Sequence, residues 1–167
     1  EGDEEVVILD ASTLKITGEI PVFGWPRIPT FSPDGKTLYL SLRWFNGALI
    51  IDTEKKQVID WIQLPQVEKF PSEGKASHGI NLSKDGKLLY ITSQIRNSVN
   101  IIDTKTLKLL KEIPVGIDPN WIGFSENRQY AVVSNTGNNS VSIINLKTFL
   151  VDKTILVGKA PKSLVVR

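Results

Sequence analysis

The sequence predicts an all-β chain built as a β-propeller of four-stranded antiparallel blades, and two repeated anchors predict it. The same hairpin occurs as "FSPDGKTLYLS" at 31–41 and "LSKDGKLLYIT" at 82–92, and its serine position, Ser32, Ser83 and Ser125, recurs at spacings of 51 and 42 residues. The residue closing the next apolar run falls at Asp10, Asp52, Asp103 and Asn145, spaced by 42, 51 and 42. Both anchors give one period of about 42 residues, the length of a four-stranded propeller blade. A β-sandwich has no cause to repeat a turn and an aspartate at fixed intervals.

The elements follow in order. The first unit supplies two strands, Val6 to Asp10 and Lys15 to Val22. The third unit shows the full set: "HGINLS", a Lys-Asp-Gly turn, "LLYITS", Arg-Asn, "SVNIID", Thr-Lys-Thr and "LLKEIPV". Each run is rich in β-formers and bounded by turn residues, and none carries the 3.6-residue period of an amphipathic helix. Asp34-Gly35 and Asp85-Gly86 supply the positive φ of a tight hairpin, Asn46-Gly47 does so at the next corner, and Asn127-Arg128 replaces Asp-Gly in the fourth unit. Nine extra residues fall in "LPQVEKFPSEGKASHG", 64–79, where the other units have a short connection.

With four strands in each of three units and a last one at Lys162 to Val166, the count is fifteen, one short of four complete blades. The expectation is one domain of about four blades, or part of a larger seven- or eight-bladed ring. Its blade segments are 1–22, 23–64, 65–115, 116–157 and 158–167. An open arc leaves bare sheet edges and apolar faces, so completion by further blades or self-association is expected.

Composition narrows the function classes. The 167 residues are 41% hydrophobic, enough for a packed core, and 20 basic against 18 acidic side chains give a net charge of +2. So weak a basic field argues against nucleic acid as a partner. Without cysteine there is neither a disulfide framework nor a thiolate metal site. No apolar run approaches the ~18 residues of a membrane span. The lack of methionine and the opening Glu1-Gly2-Asp3-Glu4-Glu5 read as those of a processed or excised piece whose signal peptide is gone.

The segment "SKDGKLLYITSQIRNSVNIIDTKTLKLLKEIPVG" resembles the repeat of the YVTN-type β-propellers, which runs through Ser-Pro-Asp-Gly-Lys, Tyr-Val-Thr-Asn, Asn-Ser-Val and Ile-Asp to Ile-Pro-Val-Gly. Tyr39-Leu40-Ser41-Leu42, Tyr90-Ile91-Thr92-Ser93 and Val132-Val133-Ser134-Asn135 occupy the signature tetrapeptide with partial fidelity. The resemblance covers nearly the whole chain. It implies a propeller fold and a periplasmic, extracellular, cell-surface or surface-layer location, and no single activity.

Propellers bind ligands at the mouth of the central channel, and the repeat register identifies positions there. Five residues before each anchor serine, or in the matching place of the last unit, stand Arg27, His78, Asn120 and Lys162, all polar. Equivalent positions of successive blades face one ring. Aromatic residues occupy the same connections, Trp25, Trp44, Phe45, Phe70 and Trp121; beside Arg27, Arg43 and Arg96 they could form a stacking surface for a flat ligand or a partner protein. Trp121, inside an inner strand, is read as packing.

Catalytic constellations are missing. His78 is the single histidine, and neighbouring Ser77 points to the opposite face of a strand, which spoils a nucleophile–base contact. One imidazole falls short of a transition-metal site unless carboxylates such as Asp118 complete it. Gly35-Lys36-Thr37 imitates the end of a phosphate-binding loop, but position 30 is Thr and no helix follows. Asn138-Asn139-Ser140 is a glycosylation acceptor pattern in a loop, and Asn81-Leu82-Ser83 a second one inside an inner strand.

The sequence therefore points to a non-enzymatic, exported or cell-surface module that binds a protein, glycan or small ligand, with no cofactor expected. One alternative is a periplasmic redox enzyme or haem carrier using His78, since related periplasmic propellers include haem-bearing nitrite reductases. No Cys-x-x-Cys-His is present to attach a c-type haem. The other alternative is a structural element of a surface layer.

Overall fold

The computed structural model describes residues 4–69 and 71–166; Glu1-Gly2-Asp3 and the insertion's Phe70 lie outside the described residues. Fourteen strands run in chain order among them: β1 (Glu5–Leu9), β2 (Ile16–Pro21), β3 (Pro26–Phe31), β4 (Thr37–Leu42), β5 (Gly47–Asp52), β6 (Gln57–Gln63), β7 (Ser77–Leu82), β8 (Leu88–Ser93), β9 (Ser98–Asp103), β10 (Leu109–Pro114), β11 (Pro119–Phe124), β12 (Tyr130–Asn135), β13 (Ser140–Asn145) and β14 (Leu150–Leu156). They form one two-stranded and three four-stranded antiparallel sheets, each a meander of consecutive strands. The architecture is all-β and of propeller type, with β3, β7 and β11 adjacent along the inner side.

Both faces of the middle strands β4, β5, β8 and β9 are buried, so these read as continuous apolar runs, whereas β13 buries one face fully and the other in part. On β4, Leu38, Leu40 and Leu42 pack toward the β1–β2 sheet with Ile20, Leu49 and Ile51. Tyr39 turns the other way, to the cluster containing Ile80, Leu82, Leu89 and Ile91 of the next sheet. The alternation continues one blade further: Tyr90, Val99 and Ile101 pack with Ile122, Ala131, Val133 and Ile144. Each fully buried Leu or Ile contributes roughly 1.5–3 kcal/mol, so neighbouring sheets stabilise one another through two-residue periodicity.

The hairpins repeat atom by atom. Ser32 and Ser83 each donate from Oγ to the aspartate two residues on, at 2.6 Å, and accept from the N–H of the residue five ahead. Ser125, Asn127 and Tyr130 reproduce this pattern in the fourth unit. Gly35 and Gly86 take φ of 72°, and there the left-handed residue is Arg128 at 54°, not Asn127. Asn127 keeps the aspartate's hydrogen-bonding role. The second anchor is a turn as well: Asp10, Asp52, Asp103 and Asn145 each accept backbone N–H bonds from the residues two and three ahead. Hydroxyl bonds from Ser12 and Thr13 hold the Asp10 carboxyl down at about 2.

A hydrogen bond between blades recurs at the third position of the signature tetrapeptide. Each inner pair slips register, between Pro26 and Pro29, Ser77 and Ile80, and Pro119 and Ile122. At that slip the hydroxyls of Ser41, Thr92 and Ser134 accept from the N–H groups of Ile28, Gly79 and Trp121. The hydroxyls of Ser41 and Ser134 donate onward to the next unit, to the His78 and Lys162 carbonyls, and that of Thr92 lies 3.4 Å from both the Gly79 and the Asn120 carbonyls, between which it shares its proton. Gly79 allows this approach, because a Cβ there would stand 2.6 Å from the Asn120 carbonyl oxygen.

Two further expectations change. The segment from Lys162 to Val166 carries no assigned strand; it lies along β11, with Leu164 and Val166 over Gly123, and the Lys162 and Pro161 carbonyls accept from Ser134 and Thr136. At the Asn46-Gly47 corner the positive φ is Gly47's alone, at 158°, where a Cβ would stand 1.8 Å from the Ile62 carbonyl oxygen; Asn46 is not left-handed. Asn46 is instead a buried hub that donates to the Pro65 carbonyl and accepts from Ser77 and Ser93, because the insertion folds back over this corner.

Thr92→Val keeps the shape of the side chain while leaving the buried Gly79 N–H without its acceptor. A loss of about 1–3 kcal/mol in urea unfolding is expected, with faster amide exchange at Gly79, and Thr92→Ser should restore most of it.

Candidate functional site

The register slip that calls for the hydroxyl also sets Arg27, His78 and Asn120 at the start of β3, β7 and β11. With Lys162 they line one cavity of about 360 Å3, together with Arg43, Lys75, Gln94, Asp118 and Thr136. Four residues separated by much of the chain thus share a single wall. A depression of about 440 Å3 beside Arg128–Tyr130 and Asn145–Lys147 draws on one blade alone and gathers no comparable set.

A second repeated position completes the lining. Arg43, Gln94 and Thr136 each follow the signature tetrapeptide of their unit, and all three face the cavity. Arg27 donates from Nη1 to Gln94 Oε1 at 3.0 Å, joining the two rings across neighbouring blades. The insertion adds Lys75, whose Nζ lies 3.0 Å from Glu73 and 3.4 Å from Asp118. The cavity continues into a groove of about 590 Å3 along Lys69, Pro71, Ser72 and Ile95, sharing Lys75, Gln94 and Asp118. Gln94 and Lys75 were not among the expected residues, and Asp118 only as a possible metal partner; the register could have placed Gln94 beside Arg43, but Lys75 sits in an insertion with no counterpart to compare.

The other expected residues sit elsewhere. Trp25 and Trp44 do not line the cavity; they stand at its rim, 55% and 43% exposed, with the Arg43 guanidinium 5.1 and 5.8 Å from their ring centroids. Arg43 donates from Nε and Nη2 to the Glu73 carbonyl, which fixes it between the two indoles. Gly74 packs directly on the Trp44 ring, where a Cβ would come within 2.5 Å. Arg96 is removed from the site by a bidentate pair with Glu112, at 2.6 and 3.0 Å. Trp121 lies 6.3 Å from the His78 ring as packing, and Ser77 turns its hydroxyl to Asn46 and Gly47, away from the imidazole's cavity. Asn138 accepts from the Ile117 N–H and the Ser140 hydroxyl.

The electrostatics lean positive: Arg27, Arg43, Lys75 and Lys162 line the cavity with one carboxylate, Asp118, while Glu73 pairs Lys75 from outside the lining. Burial, then the charge of Arg43, brings Arg27 down to about 10, still protonated at neutral pH. Burial, with Arg27 and Lys162 adding to it, lowers His78 to about 4. The imidazole is therefore neutral at pH 7, and its buried Nδ1 has no hydrogen-bond partner in the protein. Among the described residues no group of three or more His, Asp or Glu side chains comes together to hold a metal. No helix among them is long and apolar enough to cross a membrane.

No family model matches the chain. It is 28% identical over 141 residues to Antigen Lp49 of Leptospira interrogans, covering 80% of this chain and 29% of that protein. Among solved structures it resembles the hydrazine synthase of Kuenenia stuttgartiensis, with a TM-score of 0.79 and 26% identity, over 92% of this chain and 43% of that one. The periplasmic gluconolactonase PpgL of Pseudomonas aeruginosa matches with a TM-score of 0.70 at 19% identity, over 87% of this chain and 44% of that one. The chain thus spans less than half the length of each of these three proteins. These likenesses agree with the propeller-type fold.

His78 gives the fold a pH dependence of definite sign. Its folded pKa lies below the unfolded 6.5, so the unfolded chain binds the extra proton as pH falls, and stability declines between about pH 6.5 and pH 4. His78→Gln should flatten the denaturant midpoint in that window, and the wild-type imidazole should titrate by NMR near pH 4 rather than 6.5.

Proposed function

We propose that the chain is a ligand-binding propeller module whose site is the channel-mouth cavity and whose ligand is a small anion or an anionic group of a larger partner. The convergence of Arg27, His78, Asn120 and Lys162 on one cavity supports this reading. Arg27, Arg43 and Lys162, with Lys75 paired to Glu73 and Asp118, leave a positive excess in a concave and partly desolvated setting, which favours a carboxylate or phosphate over a neutral or cationic ligand. Keeping His78 neutral leaves it as a hydrogen-bonding group beside those cations rather than a fifth charge.

The module is exported, in the periplasm or at the cell surface, and belongs with the YVTN-type propellers. Support comes from the repeat itself and from the names of two matched proteins, an antigen and a periplasmic gluconolactonase. The apolar flanks of the arc, Val7 and Leu9 on β1 among them, meet further blades or a second copy.

A second reading, the periplasmic redox enzyme or haem carrier, rests on the same imidazole. A neutral histidine with an unpartnered ring nitrogen has the lone pair that an axial ligand or an acid–base group uses. A visible absorption band in the purified protein would decide for it.

The binding reading is tested by calorimetry with inorganic phosphate and acetate on the wild type and on Arg27→Ala/His78→Ala/Asn120→Ala. Each charge-assisted hydrogen bond lost is worth roughly 1.5–3 kcal/mol, so the variant should bind at least about tenfold more weakly with its circular dichroism unchanged. Equal affinity in both proteins would dismiss the cavity.

A further inference from the structure

The cavity offers three chemistries side by side, and only together do they define a ligand class. Arg27, Arg43, Lys75 and Lys162 answer an anionic group. Asn120, Gln94, His78 and Thr136 add polar groups to the wall: the Gln94 oxygen accepts from Arg27 and the Thr136 hydroxyl donates to Pro161, which leaves the Gln94 amide N–H groups and the Thr136 oxygen lone pair for a ligand's hydroxyl groups. Asn120 and Gln94 are each only 7% exposed, so their amides are held in the wall rather than left to roam in solvent. Trp25 adds an apolar ring beside Arg43, which itself lines the cavity.

Trp25 is an unusual rim residue. It adopts φ of 60°, a left-handed conformation that a bulky side chain rarely takes, immediately before Pro26. The Arg43 N–H bonds to the Trp25 carbonyl and the Trp44 N–H to the Gly24 carbonyl, both at 2.9 Å, which fixes this conformation. The register-equivalent Asp118 and Ala160 take the same left-handed conformation, at φ of 52° and 47°, so it belongs to the repeated connection between blades and here carries an indole. The result is an indole more than half exposed, at a fixed distance from a cation that faces the cavity.

We infer that the site takes an acidic sugar: its carboxylate or phosphate lies among the cations, its hydroxyls meet the amides, and a pyranose ring lies on Trp25. An acidic peptide would satisfy the cations but has no use for the wall's further polar groups. The inference rests on the anion-binding reading above and narrows it.

The test uses D-galacturonate and its dimer and trimer, the methyl-esterified dimer, acetate, inorganic phosphate and an Asp/Glu-rich peptide, titrated by calorimetry and tryptophan fluorescence. The dimer should bind about tenfold more tightly than acetate and quench fluorescence, and esterification should remove most of the affinity. Trp25→Gly, which relieves the backbone strain and so leaves folding intact, should bring the dimer to the acetate level. Trp25→Phe should recover part of the gain, and Arg27→Ala should weaken acetate and dimer alike. A dimer no tighter than acetate, an ester as tight as the acid, or an acidic peptide as tight as the dimer would overturn the acidic-sugar assignment while leaving the anion site standing. Failure of acetate, phosphate and dimer together would remove both.

Discussion

The site depends on one hydroxyl per blade. Ser41, Thr92 and Ser134 each close the backbone gap opened by a register slip in their own sheet and reach across to a carbonyl of the next unit. That carbonyl belongs to a cavity residue, His78, Asn120 or Lys162. Apolar burial between sheets is strong but non-directional, and would tolerate some sliding of one blade on another. A directional bond from a buried hydroxyl does not, so blade spacing and side-chain placement at the channel mouth are set by the same atom. A β-branched or small hydroxyl residue at the third tetrapeptide position is thus a requirement of packing and of the site together.

Much of the architecture was legible because it is periodic. Two anchors at one spacing define the blades, and equivalent positions assign Arg27, His78, Asn120 and Lys162 a common location, the cavity they line. The residues that escaped did so for physical reasons. Asn46 followed by glycine has the local chemistry of a hairpin turn, yet burial by the insertion turned it into a hub for three partners. Arg128 took a left-handed conformation against its own preference because the hairpin frame around Ser125 required one there. Arg96, read beside the aromatic residues, has its fork satisfied by Glu112 across the adjacent hairpin, a pairing that sequence distance alone does not rank. Trp25 and Trp44, read beside Arg43, do flank its guanidinium, but their place outside the cavity depends on backbone pairing between two loops.

The insertion is the one departure from the repeat, and its effects are local and specific. It carries Lys75 into the cavity, presents the Glu73 carbonyl to Arg43, places Gly74 under Trp44 and supplies the Pro65 carbonyl to Asn46. Removing nine residues here would restore the period and dismantle one side of the cavity. Departure from regularity, rather than regularity itself, individualises this propeller's mouth.

The walls of the cavity differ in how they are secured. Arg27, His78 and Asn120 project from strands paired in ladders, whereas Lys162 stands on a segment fastened by the Ser134 and Thr136 hydroxyls. Detaching that segment breaks few bonds, so it belongs to the low end of the molecule's hierarchy of local opening free energies. An occupant gripping the Lys162 ammonium would add its own binding free energy to that weak attachment. Occupancy would therefore register there first, as a slowing of local opening at the periphery while the ladders stay unchanged.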